Sequence, residues 1–227
     1  MANSGRGYLI IFNMQDGREG SNVDADNLTR VFTLMGAEVH ARIDDPSEND
    51  IRKVMGQIKK MDFSDYSYVA VAYLSHGSED DLVKTDLEII KAQKSILIPL
   101  CNIPSLDGKL KWLIMQTCRG SYDFLKQKAE GAVQLIKYPN YYAKFFATSE
   151  GMHAYRTEYG SYFIHSLCSR LESEYKNQDI ISIMEMATLD VEDICKAKTN
   201  FRFIQKPEPE WNFQSKKFFI TSGFSNN

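Results

Sequence analysis

The run Tyr68-Val-Ala-Val-Ala-Tyr-Leu74 is almost unbroken in its apolar character and stops abruptly at Ser75-His76-Gly77. Lys111-Trp-Leu-Ile-Met115 repeats the pattern and stops at Gln116-Thr117-Cys118-Arg119-Gly120. Neither run approaches the roughly 18 apolar residues that cross a bilayer. Neither alternates apolar with polar, so neither is a strand with one wet face. Both read as strands buried on two faces, the condition of inner strands in a parallel sheet covered by helices.

The flanking pattern agrees. Tyr8 to Phe12 is a third apolar strand, and Leu28, Val31, Phe32 and Met35 fall at helical spacing before Gly36. Ala37 to Ala41 reads as a short strand. Ser47 with Asp50 forms a capping-box pattern ahead of Ile51, Val54, Met55 and Ile58. Ser78 to about Lys94 reads as acidic and then helical, and Ser121 to Tyr142, with weaker pattern, as a linker. Ala143 to Thr148 reads as a strand, Tyr162 to Leu171 and Ile180 to about Cys195 as helices, and Lys217 to Thr221 as the last strand. Strands alternating with helices predict an α/β fold with a mostly parallel central sheet and helices on both faces.

Composition narrows the partners. With 27 basic and 30 acidic residues the net charge is −3, and no basic face for phosphate neutralisation is implied, which argues against nucleic acid. No membrane segment is seen. The first seven residues lack an apolar core of signal-peptide type. Four cysteines, Cys101, Cys118, Cys168 and Cys195, show no C-x-x-C pair. They read as reduced thiols rather than a disulfide framework or a zinc site. The expectation is a cytoplasmic protein with no metal and no cofactor.

In open α/β sheets, ligands sit beyond the carboxyl ends of the strands. His76 and Cys118 both occupy that position, so adjacent strands would bring an imidazole and a thiol to one edge. The imidazole can generate or orient a thiolate and later protonate a leaving amine. Amides at Gly77 and Cys118 can receive an oxyanion. The bland alternatives are a small buried cysteine and a solvated loop histidine. The local sequence favours the chemistry: Gln116-Thr-Cys-Arg-Gly120 differs in one residue from the Q-A-C-R-G signature of caspases.

The resemblance extends over nearly the whole chain. Arg18-Glu-Gly-Ser-Asn-Val-Asp-Ala-Asp-Asn-Leu28 resembles the family's R-x-G-[TS]-x-x-D-x-x-x-L stretch, and Leu74-Ser-His-Gly77 its L-S-H-G motif. Pro104-Ser-Leu-x-Gly-Lys109 resembles the lead into the nucleophile strand. Tyr155-Arg156 with Gly160-Ser-Tyr-Phe-Ile-His-Ser-Leu167 resembles the small-subunit stretch. The resemblance implies a three-layer caspase-like sandwich forming one domain over residues 1–227. Residues 1–120 are then large-subunit-like, 121–142 the linker and 143–227 small-subunit-like. It implies Cys118 as nucleophile, His76 as acid and base, and Gly77 with Cys118 as the oxyanion hole. Arg18, Gln116 and Arg156 would clasp a substrate aspartate, two guanidiniums and an amide making a fork of donors. Tyr155 would wall the neighbouring subsite, while Arg119 reads as structural.

Five departures bear on activity. Thr117 stands in place of Ala and would crowd the nucleophile strand. Ala154 stands for Ser or Thr, and the lost hydrogen bond would cost about 1.5–3 kcal/mol of substrate binding. Glu150 stands for Pro and would repel an acidic substrate. Ser78-Glu-Asp-Asp81 lacks the family's glycines, and between Gly120 and Gln178 there is a single aspartate, Asp123, so self-processing is expected to be poor. Two readings follow. One is a cysteine endopeptidase cutting proteins or peptides after aspartate in apoptosis-type signalling. The other is an inactive or weakly active homologue that regulates an active caspase by heterodimerisation. In either, a dimer would form through a C-terminal strand, read as Lys217 to Thr221. The acidic, proline-rich Pro207-Glu-Pro-Glu-Trp-Asn-Phe213 lead would oppose self-pairing. A flavodoxin-like nucleotide site at Gly17 ranks far behind, because the loop has neither phosphate-binding spacing.

Overall fold

β4 (Tyr68–Leu74) and β8 (Leu110–Gln116) lie side by side in the middle of the main sheet, parallel and in register from Tyr68↔Leu110 to Leu74↔Gln116. The structure is a computed structural model that describes residues 5–40, 42–120, 140–199, 204–213 and 215–226. On one flank β1 (Gly7–Asn13) runs parallel to β4 and takes up β2 (Glu38–Val39) and β3 (Ile43–Asp44) on its far side. On the other flank β9 (Tyr142–Phe146) is parallel to β8, and β12 (Glu208–Trp211) closes the sheet antiparallel to β9. The sheet is therefore parallel except at this one edge.

The lack of alternation in β4 has a direct cause. Tyr68, Ala70, Ala72 and Leu74 enter a core with α1 (Ser21–Leu34), α4 (Tyr162–Glu174) and α5 (Ile180–Thr199). Val69, Val71 and Tyr73 enter the opposite core with α2 (Glu48–Ile58) and the helical segment ending in α3 (Ile98–Cys101). Every residue of the strand is buried, and each large one contributes about 1.5–3 kcal/mol by leaving water. β1 and β8 divide between the same two cores. Helices thus cover both faces, and the three-layer expectation holds. The Ser47–Asp50 capping box at the start of α2 forms as read, with Ser47 accepting from the Asp50 amide and Asp50 from that of Ser47.

Three readings need correction. Ser78 to Lys94 is not acidic loop then helix. It holds β5 (Gly77–Ser78), β6 (Leu82–Lys84) and β7 (Ile89–Lys91) in a small antiparallel sheet, and helix begins only at Gln93. Asp80 and Asp81, at φ 62° and 58°, make the turn between β5 and β6 that glycine would usually make. Ala37–Ala41 supplies only the two-residue β2. Finally, Lys217–Thr221 does not border the main sheet: β13 (Lys216–Phe219) folds back on β14 (Gly223–Asn226) as a separate hairpin. The open edge belongs to β12. Most of the linker, with Asp123, lies outside the described residues.

Candidate active site

Because β4 and β8 are paired through their last residues, Leu74↔Gln116, the residues two positions beyond each strand emerge together. Those residues are His76 and Cys118. They line one cleft with Arg18, Gln116, Tyr155 and Arg156, so six of the seven site residues expected from sequence meet at one place. At about 280 Å³ the cleft falls just under the usual range for small-molecule pockets. It suits a side chain and its backbone rather than a whole cofactor. No cluster of metal-ligating side chains occurs among the described residues.

Gly77, the seventh, is not among the residues lining the cleft, but its backbone packs closely against Thr117 and Cys118. A Cβ there would stand 2.8 Å from Thr117 Cβ, 2.8 Å from the Leu82 oxygen and 3.0 Å from the Cys118 oxygen. Only glycine permits this approach, and it is also what makes room for Thr117. The β-branched residue is accommodated at 4% exposure because its neighbour has no side chain. Cys118 is half-buried, whereas Cys101, Cys168 and Cys195 are buried. The Cys118 Sγ lies 4.0 Å from the Ala154 carbonyl oxygen.

Arg18 is held at 3% exposure by two strand ends. One terminal nitrogen donates to the Met14 oxygen at 3.1 Å and the other to the Gln116 oxygen at 3.3 Å, while its Nε has no partner among the described residues. Burial, and then the charge of Arg156, bring its pKa down to about 9. Arg156 sits in the short ribbon of β10 (Arg156–Thr157) and β11 (Gly160–Ser161), and its Nε donates to the Glu19 oxygen at 2.6 Å. Gly20 makes the close approach of this ribbon to the Arg18 loop possible: at φ 80°, a Cβ on it would strike the Thr157 oxygen at 2.1 Å.

Burial also lowers the pKa of His76, assisted by the charges of Arg18, Lys84 and Arg156, against a weaker upward pull from a hydrogen bond with the Asp16 backbone. The imidazole is therefore neutral at neutral pH and available to accept a proton.

Sequence reasoning passed over two residues that hold this arrangement. Gln205, fully buried, accepts from the Tyr155 amide at 2.8 Å and donates to the Ala147 oxygen at 2.8 Å, fixing the segment that leads into Arg156. Asp24, 1% exposed, accepts from the Ser161 amide at 2.8 Å. A signal for Asp24 was present, a carboxylate on the apolar stripe of Leu28, Val31 and Met35. Arg119 is structural, as read: its guanidinium stacks on Phe146 at 4.1 Å and pairs with Glu208 at 2.6 Å. Glu150 is exposed and is not among the residues lining the cleft.

Fold and cleft together define a class, an α/β sandwich presenting a thiol, an imidazole and two guanidiniums at the carboxyl ends of parallel strands. Comparison with known proteins specifies it further. A family model of the caspase domain matches residues 6–219. The chain is 29% identical over 195 residues to Caspase-1 of Spodoptera frugiperda, covering 79% of this chain and 65% of that protein. It is 32% identical over 164 residues to Caspase-3 of Mus musculus, covering 68% and 58%. The crystal structure of Caspase-1 from Spodoptera frugiperda superposes with a TM-score of 0.76 at 24% identity, over 91% of this chain and 88% of that one. The chain belongs to the caspase family. It spans about three-fifths of the length of these curated relatives. No helix among the described residues is long and apolar enough to cross a membrane.

Proposed function

We propose that this chain is a cysteine endopeptidase that cuts after aspartate. The observation that carries the reading is the convergence in one cleft of Cys118, His76 and two guanidiniums that have no ion-pair partner among the described residues. The Cys118 thiol gives its proton to the neutral His76, and the sulfur attacks the aspartate's own backbone carbonyl carbon. The tetrahedral oxyanion is received by the Gly77 and Cys118 amides. His76 then returns its proton to the departing amine, and water hydrolyses the thioester to release the acid. The aspartate carboxylate enters between Arg18, Gln116 and Arg156, where the unpartnered Arg18 Nε offers a donor, and Tyr155 walls the adjacent subsite.

The test is cleavage of matched peptides with aspartate or asparagine before the scissile bond. Aspartyl peptide is expected to be cut at least about 10²-fold faster in kcat/KM, since charge-assisted pairing contributes about 1.5–3 kcal/mol per bond. Equal rates, or no turnover of either at high enzyme concentration, sink the reading. The apoptotic setting and a cytoplasmic site of action belong to the same proposal.

A second reading, regulation of an active caspase by heterodimerisation, is favoured by β12. This open edge carries Glu208, Pro209 and Glu210, with proline and charge where sheet edges are protected from pairing. Two such edges meeting antiparallel would set carboxylates against each other. The chain alone is expected to sediment as a monomer and to form a heterodimer with an active caspase. A tight homodimer removes the support.

A further inference from the structure

The clasp contains a third charge that the proposed reaction does not use. Asp24 stands in the first turn of α1, within the field of both arginines. Its Oδ1 takes the Ser161 amide at 2.8 Å, and its Oδ2 is buried with no hydrogen-bond partner among the described residues. Gly160 leaves it room: a Cβ there would lie 2.7 Å from Oδ1, and the backbone has φ 98°. Neither Arg18 nor Arg156 makes a direct ion pair among the described residues, since their guanidiniums bond to the carbonyl oxygens of Met14, Gln116 and Glu19. The charged or titratable groups facing Asp24 are Arg18 from the loop after β1, Arg156 from β10 and Cys168 from α4. A buried carboxylate within the field of two cations, yet bonded to neither, lowers the charge of the empty cleft from two positive to one.

We infer that Asp24 is an internal counter-charge to the Arg18–Arg156 clasp, so that holding an acidic ligand and protonating Asp24 are coupled. The inference rests on the aspartate-clasp reading above. A ligand carboxylate and an ionised Asp24 compete for the same two cations and repel each other. The ligand therefore binds more tightly when Asp24 carries its proton, and a bound ligand draws a proton onto Asp24, as linkage requires. Burial already raises the Asp24 pKa to about 6, against the pull of Ser161 and the two arginines, which places the coupling near neutrality. Over pH 5.5 to 7.5 the other groups hold their state. Burial pushes the Cys168 thiol far up, Arg18 titrates only about pH 9, and a ligand aspartate is ionised throughout. His76 also faces the cleft and is removed from the measurement by substitution.

The experiment uses the full chain as Cys118→Ala/His76→Gln, with and without Asp24→Asn. The probes are a fluorescein-labelled tripeptide amide ending in aspartate and its asparagine counterpart, read by anisotropy from pH 5.5 to 7.5. The aspartyl probe is expected to lose affinity by roughly fivefold or more as pH rises, the lower end of ordinary coupling. In Asp24→Asn, which keeps an oxygen for the Ser161 amide, binding is expected to be tighter at pH 7.5 and flat with pH. An unchanged pH slope in Asp24→Asn, or weakening by the same factor at every pH, overturns the inference while leaving the clasp reading intact. An aspartyl probe that binds no better than the asparaginyl one at any pH overturns both. Should Asp24→Asn not fold, calorimetry of the Cys118→Ala/His76→Gln chain in two buffers of different ionisation enthalpy decides. Net proton uptake on binding near pH 6.5 supports the coupling, and zero uptake overturns it.

Discussion

Cys118→Ala is expected to lower cleavage of an aspartyl peptide by roughly 10⁴-fold or more, the order seen when a protease nucleophile is removed. It is also expected to abolish labelling by an aspartyl-directed electrophile. The labelling result is sharp because the other thiols are poor substitutes. Cys101, Cys168 and Cys195 are all buried, and burial pushes Cys168 and Cys195 up, away from the reactive thiolate. The substitution sits past the end of β8, whose packing into both cores does not involve the sulfur, so the melting temperature should stay within a few degrees of the parent. The depressed His76 pKa adds a pH signature. An imidazole of ordinary pKa loses its neutral form below about pH 6.5. Here the buried ring, crowded by Arg18, Lys84 and Arg156, keeps it to lower pH, so the acid limb of kcat/KM should lie below 6.5. Labelling that persists in Cys118→Ala, or an acid limb above pH 7, counts against the assigned dyad.

What the sequence disclosed and what it hid divide along physical lines. β4 and β8 were legible because burial on two faces forces an unbroken apolar run, and few other structures need one that short. Once those strands were placed, His76 and Cys118 followed from their position past the strand ends. The Arg18 and Arg156 positions came from motif resemblance, and the structure supplies a reason for the glycines within those motifs. Gly20 must clear the Thr157 oxygen, and Gly160 must clear Asp24.

The small sheet between Gly77 and Lys91 was hidden because its strands have two or three residues, too few for any period to register. β12 was hidden because Glu208, Pro209 and Glu210 are poor strand formers. An edge strand tolerates them, since one side of its backbone has no partner within the sheet. Lys144 shows how far this edge reaches: nearly buried on β9, it pairs with Asp81 at 2.9 Å and with Glu210 at 3.4 Å. The same residue thus ties the turn after His76 to the open edge. Asp24 stood in the R-x-G-[TS]-x-x-D stretch and on the apolar stripe of α1 but was given no role, and Gln205 left no local mark. What each does depends on which backbone amide it holds, and that is a property of the fold.

Removing the two arginines one at a time separates binding from folding. Arg156 is half-buried and bonds to one carbonyl oxygen, that of Glu19. Arg156→Ala should therefore leave the melting temperature nearly unchanged while lowering kcat/KM for an aspartyl peptide by about 10²–10⁴-fold. That is the loss of one or two charge-assisted bonds to the substrate carboxylate. Arg156→Lys should recover little, because a point charge does not reproduce the fork. Arg18 is a different case. It is 3% exposed and satisfies the carbonyl oxygens of Met14 and Gln116 at the ends of β1 and β8. Arg18→Ala strands the Met14 oxygen at about 1–3 kcal/mol, takes one of two donors from the Gln116 oxygen, which keeps the Ser75 amide at 3.1 Å, and leaves the Asp24 carboxylate facing only one cation. Its loss of activity should equal or exceed that of Arg156→Ala and come with a clear fall in thermal stability. Steady-state kinetics beside a thermal melt on each variant make the comparison. If Arg156→Ala keeps kcat/KM within threefold and still prefers aspartate to asparagine, the clasp lies elsewhere. If Arg18→Ala melts with the parent, its bonds to the strand ends do not hold the sheet edge together as the geometry implies.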